Sequence, residues 1–383
     1  MNGGAALPRL TEALEQGLEE GRHLGAVACV DRGGSGGLVA VAVGEARPGE
    51  PLTPDTPVLW MSMTKPITAM AIAWLWERGD VELDAPVARY VPEFAQRDKG
   101  GILVKHLLTH TAGLRPSPFR YPDDDWATIV EKVCAMRVES GWAVGSDAGY
   151  HVHSTWFILG EIVRRVSGTA LSTFVRSEFF EPLGMTRSWI GMSDRGYEQD
   201  GELVSPVYDT SGAEPIEQPF TQRAWLTGTR PGGNGVGPLS ELVAFYRALL
   251  DTLHRRRSSP WTATTVERFV RRERRDTYDK TFQHVMDWGL GIMVNSARHG
   301  RETVPYAFGP AASDDSFGHG GYQSSVVFAD PVRDLVVAVA FNGFPGEPAH
   351  QGRIKGALRA IEDDLATLGA EASELAQDAG GAR

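Results

Sequence analysis

Leu59-Trp60-Met61-Ser62-Met63-Thr64-Lys65-Pro66-Ile67-Thr68-Ala69-Met70-Ala71-Ile72-Ala73-Trp74-Leu75 is apolar on nearly every side once past Lys65. A helix with no polar face belongs inside a domain, not on its surface. Gly79 supplies the stop. Pro66 has no N–H, so the carbonyl of Ser62 cannot receive the usual i+4 bond. That places Ser62 in the opening turn, at the positive end of the helix dipole.

Lys65, three residues on, falls on the same face as Ser62 and can reach its hydroxyl. Desolvation lowers a lysine pKa, so an amine held among apolar groups can be neutral and take a proton. A weak hydroxyl beside such a base is the activated-nucleophile arrangement. The plainer alternative makes Ser62 a cap and lets Lys65 snorkel to solvent. It accounts poorly for a lysine that opens so apolar a helix.

Outward from this segment, elements alternate in kind. Leu7 to Leu24 has helical spacing at Leu10, Leu14 and Leu18, and reads as a surface helix. Ala26–Val30 and Gly37–Val43 read as a β-hairpin. Trp288–Val294, Gln323–Phe328 and Leu335–Phe341 read as three strands, with Asp330-Pro331 turning between the last two. A helix from about Arg353 to Leu368 closes the pattern. Strands at both ends with helices between imply the α+β class: one antiparallel β-sheet flanked by helices. Residues 1–82 and 218–370 are expected to carry the sheet and 83–217 to form a mostly helical inserted domain. Residues 371–383 are expected to be a disordered tail.

Ser62-Met63-Thr64-Lys65-Pro66 resembles the nucleophile motif of the serine β-lactamase and penicillin-binding-protein superfamily. The resemblance is nearest to class C β-lactamases, family VIII carboxylesterases and related acyltransferases. Val104 to Leu114, Phe180 to Thr186 and Gly318-His319-Gly320-Gly321 match in the same order, so it covers roughly Leu10 to Leu368. It implies a β-lactamase/transpeptidase-like fold and a second base, a tyrosine. Tyr150 is the candidate; counting back from Leu159-Gly160 puts His151 at that position instead. The resemblance also implies that a cation near Tyr150 favours its phenolate. It gives His319, Gly320, Gly321 and Tyr322 as a strand edge lining the site, where the N–H groups of Tyr322 and Ser62 hold an oxyanion. His319 would donate to a substrate oxygen or orient Tyr150.

Three reactions suit this machinery: ester or amide hydrolysis, acyl transfer, and β-lactam or D,D-peptide cleavage. The last is ranked lower, because His319 and Gly320 stand where a lysine and a threonine would grip a carboxylate. Val152 also replaces an amide. The expectation is therefore an esterase or transacylase taking a small-molecule acyl donor and an amine or alcohol acceptor. A non-catalytic binding module on the same fold is the alternative of another class. Trp60, Trp142, Trp156 and Tyr322 suggest a bulky or apolar acyl group.

The bulk properties narrow the partners. A net charge of -11 argues against a general nucleic-acid binder. No run of about 18 apolar residues exists, so no membrane span is expected. The first nine residues lack a basic stretch followed by an apolar one, and a cytoplasmic place is expected. Cys29 and Cys134 lie far apart and read as buried thiols. His106 with His110, and His151 with His153, have metal-like spacing but no acidic partner, so no metal and no cofactor are expected. The glycine run Gly232 to Gly237 lacks a phosphate-loop ending and reads as the lead into a surface helix. Two arginine clusters, His254 to Arg257 and Arg271 to Arg275, read as solvated helical faces. An acyl carrier protein would land there if one delivered the donor.

Overall fold

The computed structural model describes residues 7–381 apart from 35 and 258, with side chains described to residue 370. Its frame is a nine-stranded sheet with every pairing antiparallel. The strands run in the order 50–51, 38–47, 25–31, 335–341, 325–330, 317–321, 293–294, 284–288, 274–279. The two ends of the chain meet at its centre, where Gly25–Asp31 pairs with Leu335–Phe341 (Ala26 opposite Phe341, Asp31 opposite Val336). The expected hairpin is Gly25–Asp31 with Leu38–Arg47.

Leu335–Phe341 is buried at every position, which an apolar run without alternation requires of a sheet covered on both faces. One face, with Val27, Cys29, Val336 and Ala338, packs on the helix Lys65–Glu77 and its neighbours. The other, with Ala28, Val30, Val337 and Val339, packs under Leu10, Leu14, Ile354, Leu358 and Ile361 of the first and last helices. Each valine, leucine or isoleucine among them contributes roughly 1.5–3 kcal/mol by leaving water.

Several expectations shift. The opening helix is Pro8–Glu19, shorter than read. The closing helix runs Glu347–Gly381, starting earlier and passing through most of the segment read as a tail; Ala, Glu, Leu and Gln there are strong helix formers. The run 288–294 is two strands, His284–Trp288 and Met293–Val294. Gly291 has φ +77, and Gly289 N–H reaches back to Ile292 O at 2.8 Å. An apolar Gly-Leu-Gly turn imitates a continuous strand in sequence. Gln323 lies in the turn before Ser325–Asp330 at φ +44, and the Gly-rich strand Phe317–Gly321 lies across that turn.

The arginine clusters are not a free helical face. Arg274 opens the edge strand Arg274–Asp279 and is buried in an ion pair with Asp279 at 2.9 Å. Arg272 pairs with Asp287 and Arg256 with Asp334. The helix after the glycine run, Leu239–Leu253, buries Leu242, Phe245, Tyr246 and Leu249. It is a core helix, amphipathic rather than superficial.

The middle of the chain adds Trp126–Ala135, Ser154–Ser167 and shorter helices, and two small three-stranded sheets accompany the large one. One of these sheets matters for the site: Val58–Met61 and Trp189–Ile190 both pair with Gly235–Gly237. Cys29 and Cys134 are free and buried. Among the described residues no helix is long and apolar enough to cross a membrane.

Candidate active site

The strand Val58–Met61 ends at Met61 with φ +49, an uncommon conformation for a side chain of that size. The chain then turns through Ser62–Thr64 into the helix Lys65–Glu77. Thr64 locks the turn, donating to Met61 O at 2.6 Å and accepting from Gly235 N–H at 2.8 Å. Ser62 is left partly exposed, at the edge of a cavity of about 500 Å³.

Lys65 is fully buried, with Nζ 3.0 Å from Ser62 Oγ and 2.6 Å from Gly232 O. Burial, and after it the charge of Arg230, hold its pKa well below the ordinary value of 10.5. Both effects favour the neutral amine, the form able to accept a proton. Gly232 is fixed by contact: a Cβ there would lie 2.9 Å from Trp156 Cγ and 3.2 Å from Lys65 Nζ. The glycine run is thus the loop that supplies the amine's carbonyl acceptor.

Of the two candidates for the second base, the structure brings Tyr150 to the pair. Its ring centroid is 5.1 Å from Lys65 Nζ and it lines the cavity. Asp279 Oδ1 accepts its backbone N–H at 3.0 Å, and its ring packs on Phe282 and Trp288. Burial raises the phenol pKa, and a hydrogen bond with Ser62 opposes that rise. The resting side chain is therefore a protonated phenol, not the phenolate expected. His151 turns the other way. Its Nε2 accepts from Leu114 N–H at 2.8 Å and its backbone N–H donates to His110 Nδ1 at 3.0 Å. It is buried outside the cavity.

His319 and Gly320 of the strand Phe317–Gly321 line the cavity, as does Tyr322 beyond it. His319 Nδ1 lies 2.6 Å from Gly320 O. A carbonyl only accepts, so Nδ1 carries the proton and Nε2 is a bare acceptor, buried without a partner. Burial and the proximity of Lys65 pull its pKa down to about 3. His319 is neutral and accepts through Nε2; it does not donate there. Gly320 and Gly321 are required by close approach, since a Cβ would lie 2.1 Å from Tyr306 Cδ1 at the first and 2.1 Å from Ser325 Oγ at the second. Gly321 itself backs the cavity without lining it.

The aromatic lining is not the expected one. Trp60 and Trp156 are buried behind the wall and Trp142 sits against His151. Phe220, Trp225, Phe282 and Phe344 join Tyr322 in facing the cavity. His153, read with His151 as a weak metal pair, instead faces Arg230, with 3.4 Å between Nε2 and Nη2. Sequence reasoning missed Arg230, whose one local signal is its place just before Pro231-Gly232. A larger hollow of about 890 Å³ lies around Tyr121, Trp126 and Glu161, and Ser62 does not line it.

Known proteins share this frame. The family model described as Beta-lactamase matches residues 10–361. Esterase EstB of Burkholderia gladioli is 32% identical over 200 residues, which is 46% of this chain and 50% of that protein. A putative D-alanyl-D-alanine carboxypeptidase of Escherichia coli (strain K12) is 25% identical over 308 residues, covering 72% of this chain and 66% of its own. The chain thus aligns with half to about two thirds of these curated relatives' lengths. A penicillin-binding protein homolog from Caulobacter crescentus superposes with a TM-score of 0.77 at 27% identity, over 94% of this chain and 97% of that one.

Proposed function

We propose, from the premise that the chain belongs to the β-lactamase family, that it is a serine esterase or transacylase working through an acyl-enzyme on Ser62. One observation carries the reading: the fully buried Lys65 amine, its pKa depressed, lies 3.0 Å from Ser62 Oγ at the wall of a cavity. A buried lysine is costly, and proximity to a hydroxyl is the arrangement in which that cost has a use.

In this mechanism neutral Lys65 takes the Ser62 proton as Oγ bonds to the substrate carbonyl carbon. The carbonyl electron pair moves to oxygen, which the Ser62 and Tyr322 N–H groups receive. As the intermediate collapses, the leaving oxygen or nitrogen takes a proton from Tyr150, and the Lys65 ammonium restores the phenol. Water, an alcohol or an amine then attacks the acyl group along the reverse path. Neutral Lys65 and protonated Tyr150 are the pair of protonation states this sequence needs at rest.

β-Lactam or D,D-peptide cleavage remains the lesser reading, because the strand offers the neutral His319 where a carboxylate-gripping cation would stand. EstB is named an esterase, which agrees with the preferred reading. Small-molecule donors suit the cavity. Of the arginines that would receive a carrier protein, Arg256, Arg272 and Arg274 are engaged in ion pairs within the chain.

The test is intact-protein mass after a fluorophosphonate probe and after a p-nitrophenyl ester, with Ser62→Ala as control. A single adduct mapped to Ser62 and lost in the variant is expected. No adduct would leave the binding-module reading in its place. Added amines or alcohols that shorten the acyl-enzyme lifetime and appear in the product would identify a transferase.

A further inference from the structure

One cation lining the cavity takes no part in the proposed bond-making or proton transfers beyond helping to lower the Lys65 pKa. Arg230 lines the cavity together with Ser62, Tyr150 and His153. Its guanidinium lies against the rings of Tyr121 at 4.4 Å and Trp225 at 4.6 Å, which meet each other edge-on at 5.1 Å, and Nη2 lies 3.4 Å from His153 Nε2. Nε is buried with no partner. Among the described residues no carboxylate lies within ion-pair distance of it.

That situation is unusual within this chain. Arg115, Arg272 and Arg274 pair with Glu139, Asp287 and Asp279. Arg353, also buried, donates to the carbonyls of Arg22, Gln323 and Gly343. Arg230 has aromatic faces and a neutral histidine in their stead. Burial draws its pKa down to about 10, so it stays charged at neutral pH.

A desolvated guanidinium with an open donor edge costs free energy unless a ligand completes it. Its surroundings hold it ready. The backbone N–H of Arg230 donates to Asn234 Oδ1 at 2.8 Å, while the same carboxamide donates to Trp225 O at 3.1 Å. The two rings limit where the guanidinium can lie, and its planar fork suits the two oxygens of a carboxylate. The cavity's own carboxylate, Glu347, does not lie within ion-pair distance of Arg230; Gln351 Nε2 donates to its Oε1 at 3.3 Å, and its Oε2 is buried without a partner.

We propose that Arg230 is a specificity residue that binds a carboxylate carried by the substrate, so that the enzyme prefers anionic esters such as half-esters of dicarboxylic acids. The inference rests on the acyl-enzyme reading above and narrows it to a substrate class.

The experiment compares kcat/KM for p-nitrophenyl hydrogen glutarate, whose carboxylate lies on the acyl side, and p-acetoxybenzoate, whose carboxylate lies on the leaving group. Neutral p-nitrophenyl butyrate and phenyl acetate serve as references for wild type, Arg230→Gln and Arg230→Lys. A charge-assisted hydrogen-bonded pair predicts that the preference for one carboxylate ester over its neutral reference falls about 10–100-fold in Arg230→Gln, chiefly through KM. Lys should restore part of it. The ester that shows the effect tells which side of the scissile bond faces Arg230. Absence of a wild-type preference in both pairs, or an equal loss on all four esters, overturns the proposal and makes Arg230 a structural prop. Fluorophosphonate labelling of Ser62 in each variant separates the two failures. A wild type that labels but shows no carboxylate preference sinks this inference alone, and one that does not label sinks the acyl-enzyme reading.

Discussion

Asp279 Oδ1 accepts the backbone N–H of Tyr150 at 3.0 Å while its Oδ2 accepts from Arg274 Nη2 at 2.9 Å, so one buried carboxylate ties the edge strand to the proposed proton carrier. The same Oδ1 takes the N–H groups of Thr281 and Phe282 at 2.9 and 3.1 Å. Asp279→Ala would strand the buried Arg274 charge and three backbone donors. A loss of about 3–5 kcal/mol is expected from breaking such a pair. Urea unfolding of the variant checks it; a midpoint equal to wild type would mean that Arg274 finds another acceptor.

Lys65→Met replaces the amine with a side chain of similar length and no base. If Lys65 activates Ser62, the rate of fluorophosphonate labelling should fall by about 10²–10⁴-fold, the usual worth of a positioned base. Lys65→Arg should fare no better, since a guanidinium does not give up its proton. Stopped-flow labelling measures both. Retention of most of the wild-type rate in Lys65→Met would move the base to Tyr150.

The same substitution has a signature in stability. Burial lowers the folded-state pKa of Lys65 well below 10.5, so on going down in pH the unfolded chain binds this proton first. Stability therefore rises with pH across the window between the folded value and 10.5, and that slope is absent in Lys65→Met. Above 10.5 the amine is neutral in both states and contributes nothing further. Urea melts of the two proteins at neutral pH and near pH 10.5 measure the difference. A stability gap that stays constant between those pH values would contradict a depressed lysine.

Sequence legibility followed the range of the interaction concerned. Ser62 and Lys65 are three residues apart and their helix is apolar by composition, so their juxtaposition was readable. The central strands were readable because a doubly covered sheet leaves long β-branched runs. Arg274 was misread because the partner that buries it sits on a strand end, and charge alone resembles a solvated face. Arg230 left almost no trace. Its environment is made by Tyr121 and Trp225 from other elements, and neither ring is marked as a wall residue by local pattern. The choice between Tyr150 and His151 is a phase of one residue, which an irregular segment does not encode. The cavity's aromatic lining was missed because burial, not proximity to motifs, sorts tryptophans into core and wall.

Gly320 and Gly321 adjoin in sequence yet should fail differently. A Cβ at Gly320 meets the ring of Tyr306, a cavity-wall side chain, at 2.1 Å. A Cβ at Gly321 meets Ser325 Oγ at 2.1 Å, and also Trp60 O at 3.0 Å and Met61 Cβ at 3.2 Å, in the strand that delivers the nucleophile. Ring displacement reshapes the substrate's wall and leaves the Ser62 turn in place, so Gly320→Ala should act mainly on KM. Separation of the strand from the turn moves the Tyr322 N–H away from its proposed place at the oxyanion, and Gly321→Ala should then act mainly on kcat. One lost oxyanion donor is worth about 2.7–4 kcal/mol, or roughly 10²–10³-fold. Steady-state kinetics on one neutral ester distinguish the two. Equal effects on kcat and KM in both variants would mean that the strand moves as a rigid unit and that neither glycine has a separate task.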